Sequence, residues 1–411
     1  MSDATGGSMA LDLAALSRQV RAMSGTLTDE ASERRQRQSL TLGRFLEESL
    51  QHEAWALAAD LSREGFAWLL ARPVEPLNTI VDLPQRPPDY ALIATDGSQI
   101  DVERHGMVAC YVINIGRVFL RYGSHPGAKL SSRPTLYFRD EDLYLSDGVR
   151  RIPIEGNLLS ARRDVAEGLA LAEMVEEFLD DDCLPAMALQ DGTLVRWTLA
   201  GADKTVQQEF LQPYLRYLDT MQAHGIPVAS YISRPRAPEV AGIIRLMFCP
   251  DVNVADGNGA KCNECSDQAA NRVPSCFVCQ GLTDADILGD TLAEGQRGPL
   301  FTSLSRVNVE SYGQHLIHFF YMRIGREIAR VEIPRWVAED RELLNRTHTL
   351  IYDQCVRGQG YPVALARAHE QAIVRAADRR AFMTIVEGSL LRAELPAESS
   401  RKRESKERQA L

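Results

Sequence analysis

Two aspartates in this sequence share one context. Asp96 lies in Ile93-Ala94-Thr95-Asp96-Gly97-Ser98 and Asp191 in Leu189-Gln190-Asp191-Gly192-Thr193-Leu194. Each closes an apolar run and is followed by glycine and a small hydroxyl residue. Runs rich in Ile, Leu and Ala read as buried strands. Glycine directly afterwards lets the backbone turn sharply or approach a ligand closely. Two such strands can aim two carboxylates at one spot, and paired carboxylates hold the divalent ions that act on phosphate esters. A single Asp-Gly is ordinary turn chemistry; two, each after a strand, point to a site.

Asp-Gly-Thr-Leu also closes the nucleophile motif of haloacid-dehalogenase-like phosphohydrolases. That chemistry needs a second aspartate two residues earlier to attack phosphorus. Those positions hold Leu189 and Ala94, which cannot. Hydrolysis at a metal site needs no protein nucleophile, only three or four hard ligands. Glu167, Glu173, Glu176 and Glu177 lie on one predicted helix before the second aspartate. Glu167 follows Arg163 by one turn, the spacing of a surface ion pair. His369 lies on a late predicted helix just past Gly360-Tyr361-Pro362.

Cysteine supplies a second chemistry. Cys262-Asn263-Glu264-Cys265 and Cys276-Phe277-Val278-Cys279 form two Cys-x2-Cys pairs. Two such knuckles can complete a tetrahedron around zinc, with an iron–sulfur cluster as the rival. The stretch 249–299 around them is polar and glycine-rich, and reads as an insertion whose folding energy a metal would supply. Cys110, Cys183, Cys249 and Cys355 are scattered and read as small buried residues.

The elements that must position these groups follow from periodicity. Residues 11–70 have helical spacing, and 71–90 reads as a proline-rich linker. A strand at 90–96 leads into two more, 108–115 and 118–122, around a turn at Gly116-Arg117. Then come helix 158–179, strand 186–190, helix 205–224, strand 227–232 and a short helix 238–247. After the insertion, strands 316–324 and 328–333 pair around Gly325-Arg326. Helix 338–356 and a last core helix, 361–376, follow. The alternation predicts an α/β fold with a mixed sheet. Of 411 residues, 45% are hydrophobic and 25% charged, as in a globular protein, and the net charge of −10 disfavours a chain coated in nucleic acid. No apolar stretch is long enough to span a bilayer. The start, 1–9, does not read as a secretory signal, so a cytoplasmic location is the expectation.

In this order the motifs resemble the NurA nucleases. The resemblance is carried by Ala94-Thr95-Asp96-Gly97-Ser98-Gln99, by Leu189 to Leu194, by Ser230-Tyr231-Ile232-Ser233-Arg234-Pro235, and by Gly360-Tyr361-Pro362-Val363-Ala364-Leu365 through Ala368-His369. It implies an RNase H-like mixed sheet flanked by helices. It also implies cleavage of DNA, as an exo/endonuclease, with manganese or magnesium. A homodimer working with a HerA-like hexameric ATPase in double-strand-break end resection is implied as well. By residue, it makes Asp96, Asp191 and Glu167 metal ligands, with Glu173 in reserve and His369 as the last member. Tyr231, Arg234 and Arg236 become the candidates for DNA contact.

The resulting division is a helical assembly region, 1–85, a nuclease domain, 86–395, the cysteine insertion, 249–299, and a charged tail, 396–411. The N-terminal helices either serve assembly or pack on their own core. A rival reading from another class is a catalytically silent subunit that docks on a translocase through its cysteine module. The intact carboxylates argue against it.

Overall fold

The structure, a computed structural model, describes residues 12–102, 108–146, 150–179 and 184–394. The polar start 1–9, Cys183 and the charged tail 396–411 lie outside the described residues.

A nine-stranded mixed sheet forms the centre. Its strands are β1 (Ala71–Pro73), β2 (Tyr90–Ile100), β3 (Tyr111–Tyr122), β4 (Gly127–Tyr137), β5 (Ala186–Asp191), β6 (Val228–Ile232), β7 (Phe301–Ser303), β8 (Ile317–Ile324) and β9 (Glu327–Pro334). The longer helices are α1 (Leu13–Glu47), α2 (His52–Ser62), α3 (Asn157–Phe178), α4 (Lys204–Ala223), α5 (Glu239–Met247), α6 (Arg341–Arg357), α7 (Val363–Ala372) and α8 (Ala376–Arg392). The strand order is β1-β7-β8-β9-β6-β5-β2-β3-β4. Strands β2, β3 and β4 make an antiparallel meander. Against the other edge of β2, β5 and β6 run parallel. Parallel neighbours need long crossovers, and α3 and α4 supply them. Beyond β6 the sheet continues antiparallel through β9, β8, β7 and β1.

Strand side chains alternate between faces, and the two faces of β2 carry separate cores. Ile93 packs with Ile113 and Phe119, with Leu171 and Met174 of α3, and with Tyr214 and Leu218 of α4. Tyr90, Leu92 and Ala94 face the other side, against Leu350 and Ile351 of α6 and Leu365 and Ala368 of α7. A third core joins Phe45 of α1, Ala58 and Ala59 of α2 and Ile243 of α5 to Leu282, Ile287 and Leu288. The stretch 249–299 therefore shares a core with the N-terminal helices. The first half of α1 shows Leu13, Leu16, Val20, Met23 and Leu27 at the surface. No helix among the described residues is long and apolar enough to cross a membrane.

Five sequence expectations are corrected. Strand 90–96 does not stop at Asp96, because β2 runs through Gly97 to Ile100. Gly116-Arg117 is no turn but the middle of the continuous strand β3, with Gly116 opposite Asp96. Strand β4 was not anticipated; its side chains are exposed nearly throughout, so it carries no apolar alternation. The presumed linker holds the short strand β1, and α8 follows the helix expected to be last.

Two buried histidines tie stability to pH. His348 Nε2 lies 2.8 Å from the Gly295 carbonyl, while its Nδ1 is buried without a partner. A proton on Nδ1 would be an unsatisfied buried donor. Burial holds both His348 and His318 down, from 6.5 to about 4. Their contribution is complete above pH 6.5, where both states are neutral. It is lost as pH falls towards 4, because the unfolded chain binds protons that the folded chain refuses. At pH 5 the loss is about 2 kcal/mol for each histidine. Denaturant unfolding across this range should show that fall, and a His318→Gln/His348→Gln double variant should flatten it. An unchanged slope in the double variant would refute the assignment.

Candidate active site

Asp96 lies mid-sheet on β2, on the face covered by α7, with its side chain 16% exposed. Its Oδ1 accepts from the backbone N–H of Gly97 at 2.8 Å. Its Oδ2 lies 2.7 Å from Nδ1 of His369 on α7. That helix comes close because Gly116 has no side chain: a β-carbon there would lie 2.2 Å from the Ala368 carbonyl oxygen. The end of α7 is held by Asn114 Nδ2, which donates to the Ala372 carbonyl at 2.8 Å, and by the Ser98 hydroxyl, which donates to the same oxygen.

Asp191 ends β5, next to β2, and Gly192 then turns the chain with a φ of 76°. The Tyr361 hydroxyl donates to Asp191 Oδ1 at 2.8 Å. Tyr361 meets Tyr231 edge to face, with ring centroids 5.6 Å apart. The loop after Asp191 is fixed from the far half of the sheet. Glu332 of β9 accepts from the Thr193 hydroxyl and from the Leu194 N–H, both at 2.8 Å.

Glu167 reaches the site from the opposite face. It sits on α3, is almost fully buried, and lies 3.4 Å from Arg163 Nε. Its Oε1 would be 2.6 Å from a β-carbon on Gly97. The missing side chain at Gly97 is thus the gap through which this carboxylate approaches β2. The Thr95 hydroxyl donates to the Glu167 carbonyl at 3.1 Å and fixes that turn of helix. Glu173 points elsewhere: it is exposed and paired with Arg133 of β4. Glu177 pairs with Arg117 at 2.5 Å.

Burial pushes the Glu167 carboxyl up to about 8, helped by the charges of Asp164 and Asp96 and opposed by Arg163 and Arg196. Asp191 is also raised, first by desolvation and then, among the charges around it, by Asp96. Its carboxylate is open to solvent on one side, but the protein around it still displaces water. The Asp96 carboxylate therefore disfavours the charged form of both Glu167 and Asp191. Hard oxygen donors in mutual repulsion suit a small divalent cation, which lifts the penalty. Among the described residues no three His, Cys, Asp or Glu side chains already close on one metal-sized point. The fit is one of donor chemistry and charge. His369 has committed Nδ1 to Asp96, which leaves only Nε2 for an ion, a water or a substrate.

Several participants were not read from the sequence. Arg196 is buried, pairs with Asp164 at 2.9 Å, and stacks over Tyr214 at 4.7 Å. Tyr361 carries no sequence signal beyond its place in Gly360-Tyr361-Pro362. Asp164 and Glu332 gave no signal beyond an ordinary charge. Tyr231, expected to contact DNA, is fully buried and instead backs Tyr361. Arg234 and Arg236 are exposed past the end of β6, and Arg234 pairs with Glu327 at 2.6 Å.

The meander, the parallel pair beside its first strand and the carboxylates at their junction define an RNase H-like protein. Within that class, the family profile described as the NurA domain matches residues 90–374, so the chain belongs to the NurA domain family. A solved structure described as NurA with manganese is similar at 10% identity, over 77% of this chain and 92% of that one, with a TM-score of 0.37. LC9-RNase H1, a type 1 RNase H with the type 2 active-site motif, is similar at 11% identity, over 36% of this chain and 64% of that one, with a TM-score of 0.20. At these scores both are likenesses only. No curated protein matches the sequence.

The two glycines should respond differently to an added methyl. Gly116→Ala meets backbone, which cannot yield, and should destabilise by about 1–3 kcal/mol. Gly97→Ala meets the Glu167 carboxylate and the Arg163 Cγ, each at 2.6 Å, side-chain atoms that can shift where backbone cannot. It should stay within about 1 kcal/mol of the parent. Thermal unfolding of both variants checks this, and equal losses would contradict the geometry.

Proposed function

We propose that the protein is a metal-dependent deoxyribonuclease, preferring manganese, that trims DNA ends. The observation that carries this reading is that Asp96, on one element, lies near enough to Glu167 and Asp191, on two others, to raise both, in a chain of the NurA domain family. When bound, a divalent ion supplies Lewis acidity and an activated water to phosphodiester hydrolysis.

The chain's own groups do the positioning. The His369 ring holds the Asp96 carboxylate in one orientation, and the Tyr361 hydroxyl does the same for Asp191. Arg163, partly exposed beside Glu167, places positive charge where a phosphate would lie. Exposed Arg234 and Arg236 extend that charge past β6 and take backbone phosphates without reading sequence. Mixed nitrogen and carboxylate donors favour manganese over calcium. A homodimer served by a HerA-like hexameric translocase in end resection is the assembly this reading implies.

The test is cleavage of linear duplex DNA by the full chain with manganese, with and without chelator. Asp96→Asn and Asp191→Asn should each lower the rate by about a hundredfold or more while leaving unfolding little changed. Gly97→Ala should lower activity despite its intact fold. Calcium should replace manganese poorly. Asp191→Asn cleaving at the parent's rate would sink the assignment, and a folded parent inert in every metal would favour the silent docking subunit. In binding assays with calcium, Arg234→Ala/Arg236→Ala should weaken all DNA sequences alike. It should also reduce the salt slope by about 1 for each lost contact. A sequence-dependent loss would instead mean base readout.

A further inference from the structure

The cysteines regroup in space. Cys262, Cys265 and Cys276 line one small pocket, and the fourth cysteine in its wall is Cys249, which follows α5. Cys279, the expected fourth ligand, faces away. It is fully buried, 3.8 Å from the Thr41 hydroxyl of α1, in the core shared by α1, α2 and α5.

The backbone around the pocket is built to hold these four. Cys262 and Cys265 flank a tight turn, and Cys265 precedes the short helix Ser266–Ala269. Asp267 on that helix accepts from the Ser275 N–H at 2.9 Å and from its hydroxyl at 2.8 Å. The turn carrying Cys276 is thereby stapled to the turn carrying Cys262 and Cys265. Buried Arg245 of α5 donates to the Cys279 carbonyl at 3.1 Å and to the Cys276 carbonyl at 3.4 Å. That fixes the second turn with Cys276 towards the pocket and Cys279 towards the core. The Ala67 N–H donates to Cys262 Sγ at 3.4 Å, a contact that stabilises a thiolate. Gly65 lets this segment come close, since its β-carbon would lie 2.9 Å from the Ala260 carbonyl oxygen.

We propose that Cys249, Cys262, Cys265 and Cys276 hold one zinc ion, and that Cys279 is a core residue outside the site. Four thiolates make a closed tetrahedral shell with no open position, which is a structural rather than a catalytic site. The sulfurs line the pocket without closing on one point. Cys249 and Cys265 sit on irregular backbone and Cys262 and Cys276 on short 3-10 turns, which a tetrahedral ion can draw together as the thiols lose their protons. Phe66 and Trp68 also wall the pocket. The ion would therefore clamp the segment between α2 and β1 to the cysteine stretch, some way along the chain from the carboxylates.

The test is metal analysis of the full chain purified without added metal, after a mild chelator wash. About one zinc per chain is expected. Cys249→Ser and Cys262→Ser should each lose it, and Cys279→Ala should keep it. Cobalt exchanged into the parent should give the intense visible absorption of a thiolate-rich tetrahedral site. That absorption should persist in Cys279→Ala and weaken in Cys249→Ser, with circular dichroism showing both variants folded. Zinc retained by Cys249→Ser and lost from Cys279→Ala would overturn the ligand set. Iron with sulfide in place of zinc would overturn the metal, and a metal-free parent would overturn both. None of these readouts depends on nuclease activity.

Discussion

Everything at the carboxylate edge depends on two β-carbons that are absent. Asp96 and Gly116 are cross-strand partners, so their side-chain directions point to the same face of the sheet. The space left at Gly116 is taken by the backbone of α7, which seats His369 beside Asp96. Gly97, the next residue along β2, leaves its gap on the other face, and Glu167 fills it. Asp96 is thus flanked by one gap on each side of the sheet, and a different helical layer enters each. A β-sheet normally keeps the side chains of its two faces apart. Here one strand residue without a side chain lets groups from both layers act at the same edge.

That arrangement concentrates negative charge where little water can screen it. Glu167 is raised by its burial and by two neighbouring carboxylates, and Asp191 is raised for the same kinds of reason. Arg163 and Arg196 offset part of this repulsion. They are not equivalent, because Arg196 is buried and committed to Asp164 and to the face of Tyr214, whereas Arg163 keeps some exposure. The first is locked in place, and the second, paired with Asp164 and Glu167, stays partly in solvent. The chain's overall negative charge is therefore no guide to its local chemistry.

The sequence announced the two aspartates, the crossover helices and the strands β2, β5 and β6, because buried parallel strands and amphipathic helices have strong periodicity. It misled where one residue type serves two purposes. Gly116 read as a turn because glycine marks turns, yet its role is close helix approach within a strand. Gly97 read as a turn or a close approach and is the second, whereas Gly192 does turn the chain at positive φ. Glu167 and Glu173 lie on one helix, and periodicity could not say which faced inward. Neighbours decide it, since β4 offers Arg133 to Glu173. Strand β4 left no trace because it buries almost nothing. Tyr231 lay beside exposed arginines in sequence, but the strand alternation sends its ring inward. Cys279 completed a familiar spacing, whereas the pocket is completed by Cys249, which no local motif connects to the others.

The far half of the sheet is more than an extension. Arg330 of β9 is buried between Glu239 of α5 and Glu332, with its guanidinium 3.6 Å above the Phe319 ring. A buried ion triad is a poor source of stability, since an apolar set of equal volume serves as well or better, but breaking it costs about 3–5 kcal/mol. Its value lies in what it fixes. With one oxygen held by Arg330 at 2.8 Å, Glu332 can present the other only to Thr193 and Leu194. Those two residues set the course of the chain leaving Asp191. The same α5 that supplies Glu239 also supplies Arg245 to the cysteine turn. One short buried helix therefore anchors the loop behind Asp191 and the turn behind the thiol pocket. The carboxylates and the thiol pocket are joined through side chains of this one helix rather than through any shared residue.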